Sequence, residues 1–171
     1  MTEPKQYKLK LTFDARQMTV SLQNVILLDG VSSMNTSGAF AGSYTFDPGD
    51  TLDIEVVALT HGESLVSLKD LTLVCVPAGS ARQPFLSPYD TESAGYVIRE
   101  WNEGTATEVD GNPAIIFTAK APLSITAPYG EWEMMGYLSV LFPRPDLTDA
   151  QFCRVFDFDP SVVVGGGNPP N

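Results

Sequence analysis

With 171 residues, 43% of them apolar, the chain has the length of one domain and enough material to fill one core without disulfide or metal staples. Its 21 acidic and 10 basic side chains leave a net charge of −11, which repels both the phosphates of nucleic acid and an anionic membrane surface. Neither is an expected partner, and the acidity reads as a means of keeping the domain soluble.

The segment Met1 to Lys10 alternates polar and apolar residues and lacks an apolar core of signal-peptide length. No later run approaches the roughly 18 apolar residues of a spanning helix. The protein is therefore expected to stay in the cytoplasm. In that reducing setting Cys75 and Cys153, each within a strand-like run and neither part of a CxxC pair, read as buried free thiols.

The dominant signal along the chain is period two, which sends alternate side chains to opposite faces of a strand. Tyr7, Leu9, Leu11 and Phe13 alternate with Lys8, Lys10 and Thr12, and Met18, Val20 and Leu22 alternate with Thr19 and Ser21. Phe40 to Phe46 and Leu52 to Val56 are the next two strands, and the turn residues Asp47-Pro48-Gly49-Asp50 between them predict a hairpin. Leu71 to Pro77 and Ile115 to Thr118 are apolar on both faces, as central strands covered on both sides would be, whereas Tyr96 to Trp101 is amphipathic. Ala78 to Ser93 and Glu103 to Pro113 read as long loops, where binding tends to sit. Leu138 to Phe142 and Phe152 to Phe158 form a final pair, and the connector Pro143 to Asp149 has room for one helical turn. Together these runs predict an all-β protein, an antiparallel, jelly-roll-like β-sandwich of nine or ten strands. Residues 1–164 form its single domain, and the GGGNPPN tail from Gly165 is frayed.

The catalytic inventory is thin. A Ser/His/acid triad needs a nucleophile at a strained turn beside a base, but the one histidine, His61, lies in a turn and no GxSxG elbow occurs. One histidine and two separated cysteines do not make a zinc site. Neither GxGxxG nor GxxxxGK[ST] is present, so no nucleotide cofactor is expected. Three acidic pairs, Asp157 with Asp159, Glu131 with Glu133, and Asp47 with Asp50, have spacings that a calcium ion or a glycosidase carboxylate pair could use. In a chain with 21 acidic residues such pairs are expected by chance, and solvated strand faces and Asx turns account for them. Among the aromatics Trp101, Tyr129, Trp132 and Tyr137, a sugar platform would fall at Trp101 and Trp132 beside Glu131 and Glu133; otherwise the rings fill a core or an interface.

The order of Gly49-Asp50-Thr51-Leu52 opening a strand, an aromatic-bearing middle region, and Phe156-Asp157-Phe158-Asp159-Pro160-Ser161-Val162-Val163-Val164 at the end resembles the AidA/PixA inclusion-body protein family of bacteria. The resemblance spans Gly42 to Gly165. The first 40 residues depart from it, lacking the family's Asn-Pro-rich stretch after the first strand. It implies a non-enzymatic, cytoplasmic protein that accumulates or self-assembles. It brings no catalytic residues, only the Gly49-Asp50 turn and the Asp159-Pro160 strand end as structural positions. A carbohydrate-binding or carbohydrate-active module is the alternative.

A homo-oligomer is expected on separate grounds, because a sandwich leaves sheet edges that must be covered or blocked. Lys8 and Lys10 would block an edge at the first strand, which directs attention to the final pair. There Phe152, Arg154, Phe156 and Phe158 share one face, and an arginine among phenylalanines fits an interface, a cation–π stack or the rim of a core.

Overall fold

The alternation of Tyr7, Leu9, Leu11 and Phe13 becomes a strand in which all four side chains are buried. The computed structural model describes residues 3–61, 66–78, 87–89, 95–144 and 150–165. In chain order the strands are β1 (Gln6–Asp14), β2 (Gln23–Leu28), β3 (Val31–Ser32), β4 (Ser43–Phe46), β5 (Thr51–Leu59), β6 (Ser67–Pro77) and β7 (Gly95–Ile98). They continue with β8 (Thr105–Val109), β9 (Asn112–Thr118), β10 (Leu123–Ser124), β11 (Gly130–Pro143), β12 (Gln151–Phe158) and β13 (Ser161–Val164).

These strands form an all-β sandwich. One sheet has the order β3-β2-β1-β5-β9-β8, with β10 joined to β5. The other has the order β4-β13-β11-β6-β7, with β12 also joined to β11. The long strand β11 makes this possible, since Gly130 to Glu133 pair with β13 and Gly136 to Pro143 pair with β12. A side chain on Gly136 would fall inside the Phe158 ring, so glycine lets β12 lie close at that point. Between the sheets the inward side chains make one contiguous buried cluster that includes Phe13, Ile54, Leu73, Trp132, Leu138 and Phe156. Phe13 from the first sheet stacks on Phe156 of the second with ring centroids 5.0 Å apart.

Several sequence expectations are corrected. The sandwich is not wholly antiparallel, because β1 runs parallel to β5 and β4 runs parallel to β13. Among the described residues it has thirteen strands, two of them only two residues long, rather than nine or ten. Met18 to Leu22 is not a strand: the Gln17 amide folds back to the Thr19 and Ser21 carbonyls, and only Ser21 bridges β12, at Asp157. The strand there is instead β2. Glu103 to Pro113 is a hairpin rather than a loop, turned by Asp110 and Gly111 at φ 50° and 77°, the positive pair that a type I′ turn requires. The run Leu71 to Pro77 is covered on one face only, with Val76 41% exposed on the other. Lys8 and Lys10 do not guard an edge, since β1 is flanked by β2 and β5. The loop expected at Ala78 to Ser93, the turn at Pro143 to Asp149 and the tail beyond Gly165 lie largely outside the described residues.

The predicted hairpin over Asp47 to Asp50 is likewise a crossing between sheets, because β4 pairs in one and β5 in the other. Asp50 is fully buried there. One carboxylate oxygen accepts the Lys5 backbone N–H at 2.8 Å and the other accepts the Asp47 N–H at 2.7 Å. The backbone completes the clamp: Thr51 N–H donates to the Lys5 carbonyl and Ile125 N–H to the Asp50 carbonyl. Gly49, at φ 96°, supplies the left-handed turn and donates its N–H to Ile125.

Replacing this carboxylate leaves two backbone donors without their acceptors. Asp50→Ala is expected to lower stability by about 3 kcal/mol in urea titration, with Asp50→Asn, which keeps one acceptor, falling between it and the wild type. Coincident transitions for all three proteins would contradict this role.

Candidate functional site

The rim where β12 meets the first sheet gathers most of the distinctive side chains. Along β12 the even-numbered residues point between the sheets, so Phe152, Arg154, Phe156 and Phe158 do share a face. That face is the inside of the sandwich. Phe156 and Phe158 are core residues, and only Phe152, at the open end of the strand and stacked 5.4 Å from Phe142, is substantially exposed. Arg154 is satisfied within the chain: its guanidinium lies 4.8 Å from the Phe156 ring centroid and 5.7 Å from that of Phe142. It donates to the Gln17 carbonyl at 2.6 Å and the Ala15 carbonyl at 3.4 Å. The reading of this four-residue face as an intermolecular surface is therefore corrected. A guanidinium at the sandwich rim keeps its charge near water while its stem and ring face pack on phenylalanine.

Around the far end of β12 is a cleft of about 280 Å³ lined by Ser21, Asn24, Met135, Tyr137, Asp157 and Asp159, among others. Its wall is made by the short segment after Gln17. Asp157 N–H donates to the Val20 carbonyl, and its carbonyl accepts from Leu22 N–H, which ties the first sheet to β12. Tyr137 lies opposite Asp157 in the β11–β12 register and is 41% exposed. Thus the structure brings the Asp157–Asp159 pair to one cleft with the one aromatic ring there that faces solvent. Among the described residues no three His, Cys, Asp or Glu side chains cluster.

The other residues singled out by sequence are dispersed. Trp132 is wholly inside the core, so its ring presents no face to a sugar. Glu131 and Glu133 are on the opposite side of β11, because neighbours in a strand alternate. Trp101 is half-buried beside Ala119 at the end of β9, in the other sheet. Both indole Nε1 atoms are buried without a hydrogen-bond partner, which marks these rings as packing groups. Cys75 is buried as expected, its thiol pushed up to about 12 by desolvation, whereas Cys153 is exposed on the outer face of β12. His61 stands at φ 54° with Nε2 2.8 Å from the Asp14 carboxylate.

Ser21 and Asn24 were missed in the sequence because nothing local shows that the segment after β1 folds onto β12. Gln151, Cys153 and Val155 take the opposite, outward face of β12. Alternation did hold that signal.

Arg154→Met, which keeps the stem and loses the donors, is expected to cost about 2 kcal/mol in thermal unfolding. Arg154→Lys should recover only part of it, since an ammonium lacks the fork that reaches both carbonyls. A Met variant as stable as the wild type would show that the rim contacts contribute nothing. A second expectation concerns acid. Partial burial alone would raise the Asp14 carboxyl, but the Arg16 backbone N–H and His61 outweigh it and hold the group below its ordinary range. Its contribution is therefore fully present above the unfolded-state value near pH 4 and is lost as pH falls through the lower folded value. In chemical denaturation, Asp14→Asn should flatten the pH dependence in that acid window; an unchanged acid limb would contradict it.

No family model matches this sequence, and no curated protein matches it. Among solved structures, the chain is similar to an inclusion body protein (PixA) from Burkholderia cenocepacia J2315, at 8% identity and a TM-score of 0.41, over 95% of this chain and 97% of that one. It is also similar to amebosin, at 12% identity and a TM-score of 0.19, over 71% of this chain and 85% of that one.

Proposed function

We propose that this chain is a non-catalytic, cytoplasmic protein of the inclusion-body type that acts by associating with itself. The observation that carries this reading is the contrast between the outer faces of the two sheets. On the outer face of β1 and β5, Lys8 pairs with Glu55 at 2.8 Å and Gln6 with Asp53 at 2.7 Å. On the outer face of the other sheet, Val76, Val97, Tyr137 and Val155 are each at least 40% exposed, with Val74, Met135 and Leu141 half-buried among them. Exposed apolar side chains gathered on one sheet face, with Glu131 and Glu133 at one end of it, are the pattern of a protein interface in a chain of net charge −11. The non-catalytic part of the reading rests on the chemistry of the groups themselves: the histidine is held by Asp14 and the Cys75 thiol is kept protonated by burial.

The cleft at Tyr137, Asp157 and Asp159 favours a second reading, a sugar ligand stacked on Tyr137 with carboxylates accepting its hydroxyl hydrogen bonds. Light scattering behind size exclusion, across micromolar concentrations, together with calorimetric titration against a panel of oligosaccharides, separates the two. Self-association predicts a mass above 18.5 kDa and no saturable sugar heat. A monomer that binds a sugar, with binding lost in Tyr137→Ala, would establish the second reading instead.

A further inference from the structure

We infer that two copies of this chain join along the open edge of β12, antiparallel and about a two-fold axis at Cys153, so that the sheet continues from one copy into the other. This rests on the self-association proposed above and gives it a surface and a register.

The backbone of β12 has a free side. Asp157 turns away from β11, donating its N–H to the Val20 carbonyl and accepting from the Leu22 N–H at its own carbonyl, while the Ala150 carbonyl turns toward Arg144. By alternation, Gln151, Cys153 and Val155 also turn their backbone groups away from β11, where no partner among the described residues meets them. Unpaired edges of this kind template strand addition. The side chains suit it. From Gln151 to Phe156 the sequence QFCRVF carries no acidic residue, in a chain with 21 of them, and its one charge, Arg154, is directed inward. Two copies can therefore approach here without carboxylates opposing each other. Exposed apolar residues flank the edge: Phe152 at 44%, Val155 at 50%, and, on the segment hydrogen-bonded to Arg154 and Asp157, Met18 at 93% and Val20 at 54%.

The remaining edges are poorer. The β3 strand has two residues, β7 has four, β4 is capped by the Met34–Tyr44 bridge, and β8 carries Glu108 with only small side chains around it. The occupant is a second copy because an antiparallel edge is its own complement under a two-fold axis. The register follows from satisfying every open group. Pairing Cys153 with its own copy and Gln151 with Val155 uses all three residues, whereas a shift toward Phe158 would require Asp157, already bound to the first sheet.

The test uses the full chain. Size exclusion with light scattering should give twice the 18.5 kDa chain mass. Val155→Pro, which removes an outward N–H that no internal bond uses, should halve that mass with the β-type circular dichroism unchanged. Copper-phenanthroline oxidation of the wild type should yield a disulfide-linked dimer that Cys153→Ser abolishes, because hydrogen-bonded partners sit about 5.5 Å apart at Cα, within disulfide range. A wild type monomeric throughout the micromolar range would overturn self-association itself. A wild-type dimer that neither cross-links through Cys153 nor dissociates in Val155→Pro would leave self-association standing and overturn this edge. If Val155→Pro does not fold, Val155→Lys, which places a charge beside the edge without altering the backbone, and the cross-link decide it.

Discussion

The buried carboxylate of Asp50 is the constraint on which the rest of the structure depends. It fixes the Lys5 and Asp47 backbone donors from a position with no access to solvent, at the point where the chain leaves one sheet for the other. Through Lys5 it sets the start of β1, and so the parallel register that carries β1 along β5 from Gln6–Thr51 to Asp14–Leu59. The Asp50 backbone carbonyl, which accepts from the Ile125 N–H, anchors β10 to the same corner. A parallel pair has no hairpin to hold its register, so a local clamp at one end takes over that task.

At the opposite end of β1 the sheets are closed by different chemistry. The chain after Asp14 folds across to β12, where the Ala15 and Gln17 carbonyls meet Arg154 and the Val20 carbonyl meets the Asp157 N–H. Phe13 stacks on Phe156 just inside, and the Arg154 guanidinium lies over that same ring. One arginine thus satisfies loop carbonyls at the sandwich mouth while its stem stays in apolar surroundings. The Tyr137 cleft is a by-product of this closure, since its walls are the crossing segment and the end of β12.

The two outer faces then differ in kind. The face of β1 and β5 carries the Lys8–Glu55 ion pair and suits water, whereas the face of β6, β11 and β12 exposes valines and a tyrosine together with Glu133, Glu131 being half-buried. A sandwich must bury one face of each sheet, but nothing in its own folding requires the other face to be apolar. The outward valines are therefore the feature that intramolecular packing leaves unexplained.

Period-two alternation in the sequence is sufficient to determine that the protein is an all-β sandwich, which side chains of β1 and β5 enter its core, and that the end of β11 pairs with β12. Those are consequences of strand geometry acting over a few residues. The same alternation predicts a strand at Met18 to Leu22, which meets β12 only through Ser21 and Asp157, and the turn at Asp47 to Asp50 looks like a hairpin although its strands belong to different sheets. Local chemistry sets the bend of a chain, but the partner of a strand is chosen by long-range hydrogen bonding and burial. For the same reason Trp132 reads either as a sugar platform or as a core or interface ring, and Arg154 as an interface residue or a rim residue. Only the tertiary structure decided these, because the identity of the surface opposite a side chain is a property of the packed sheets and not of the strand that carries it.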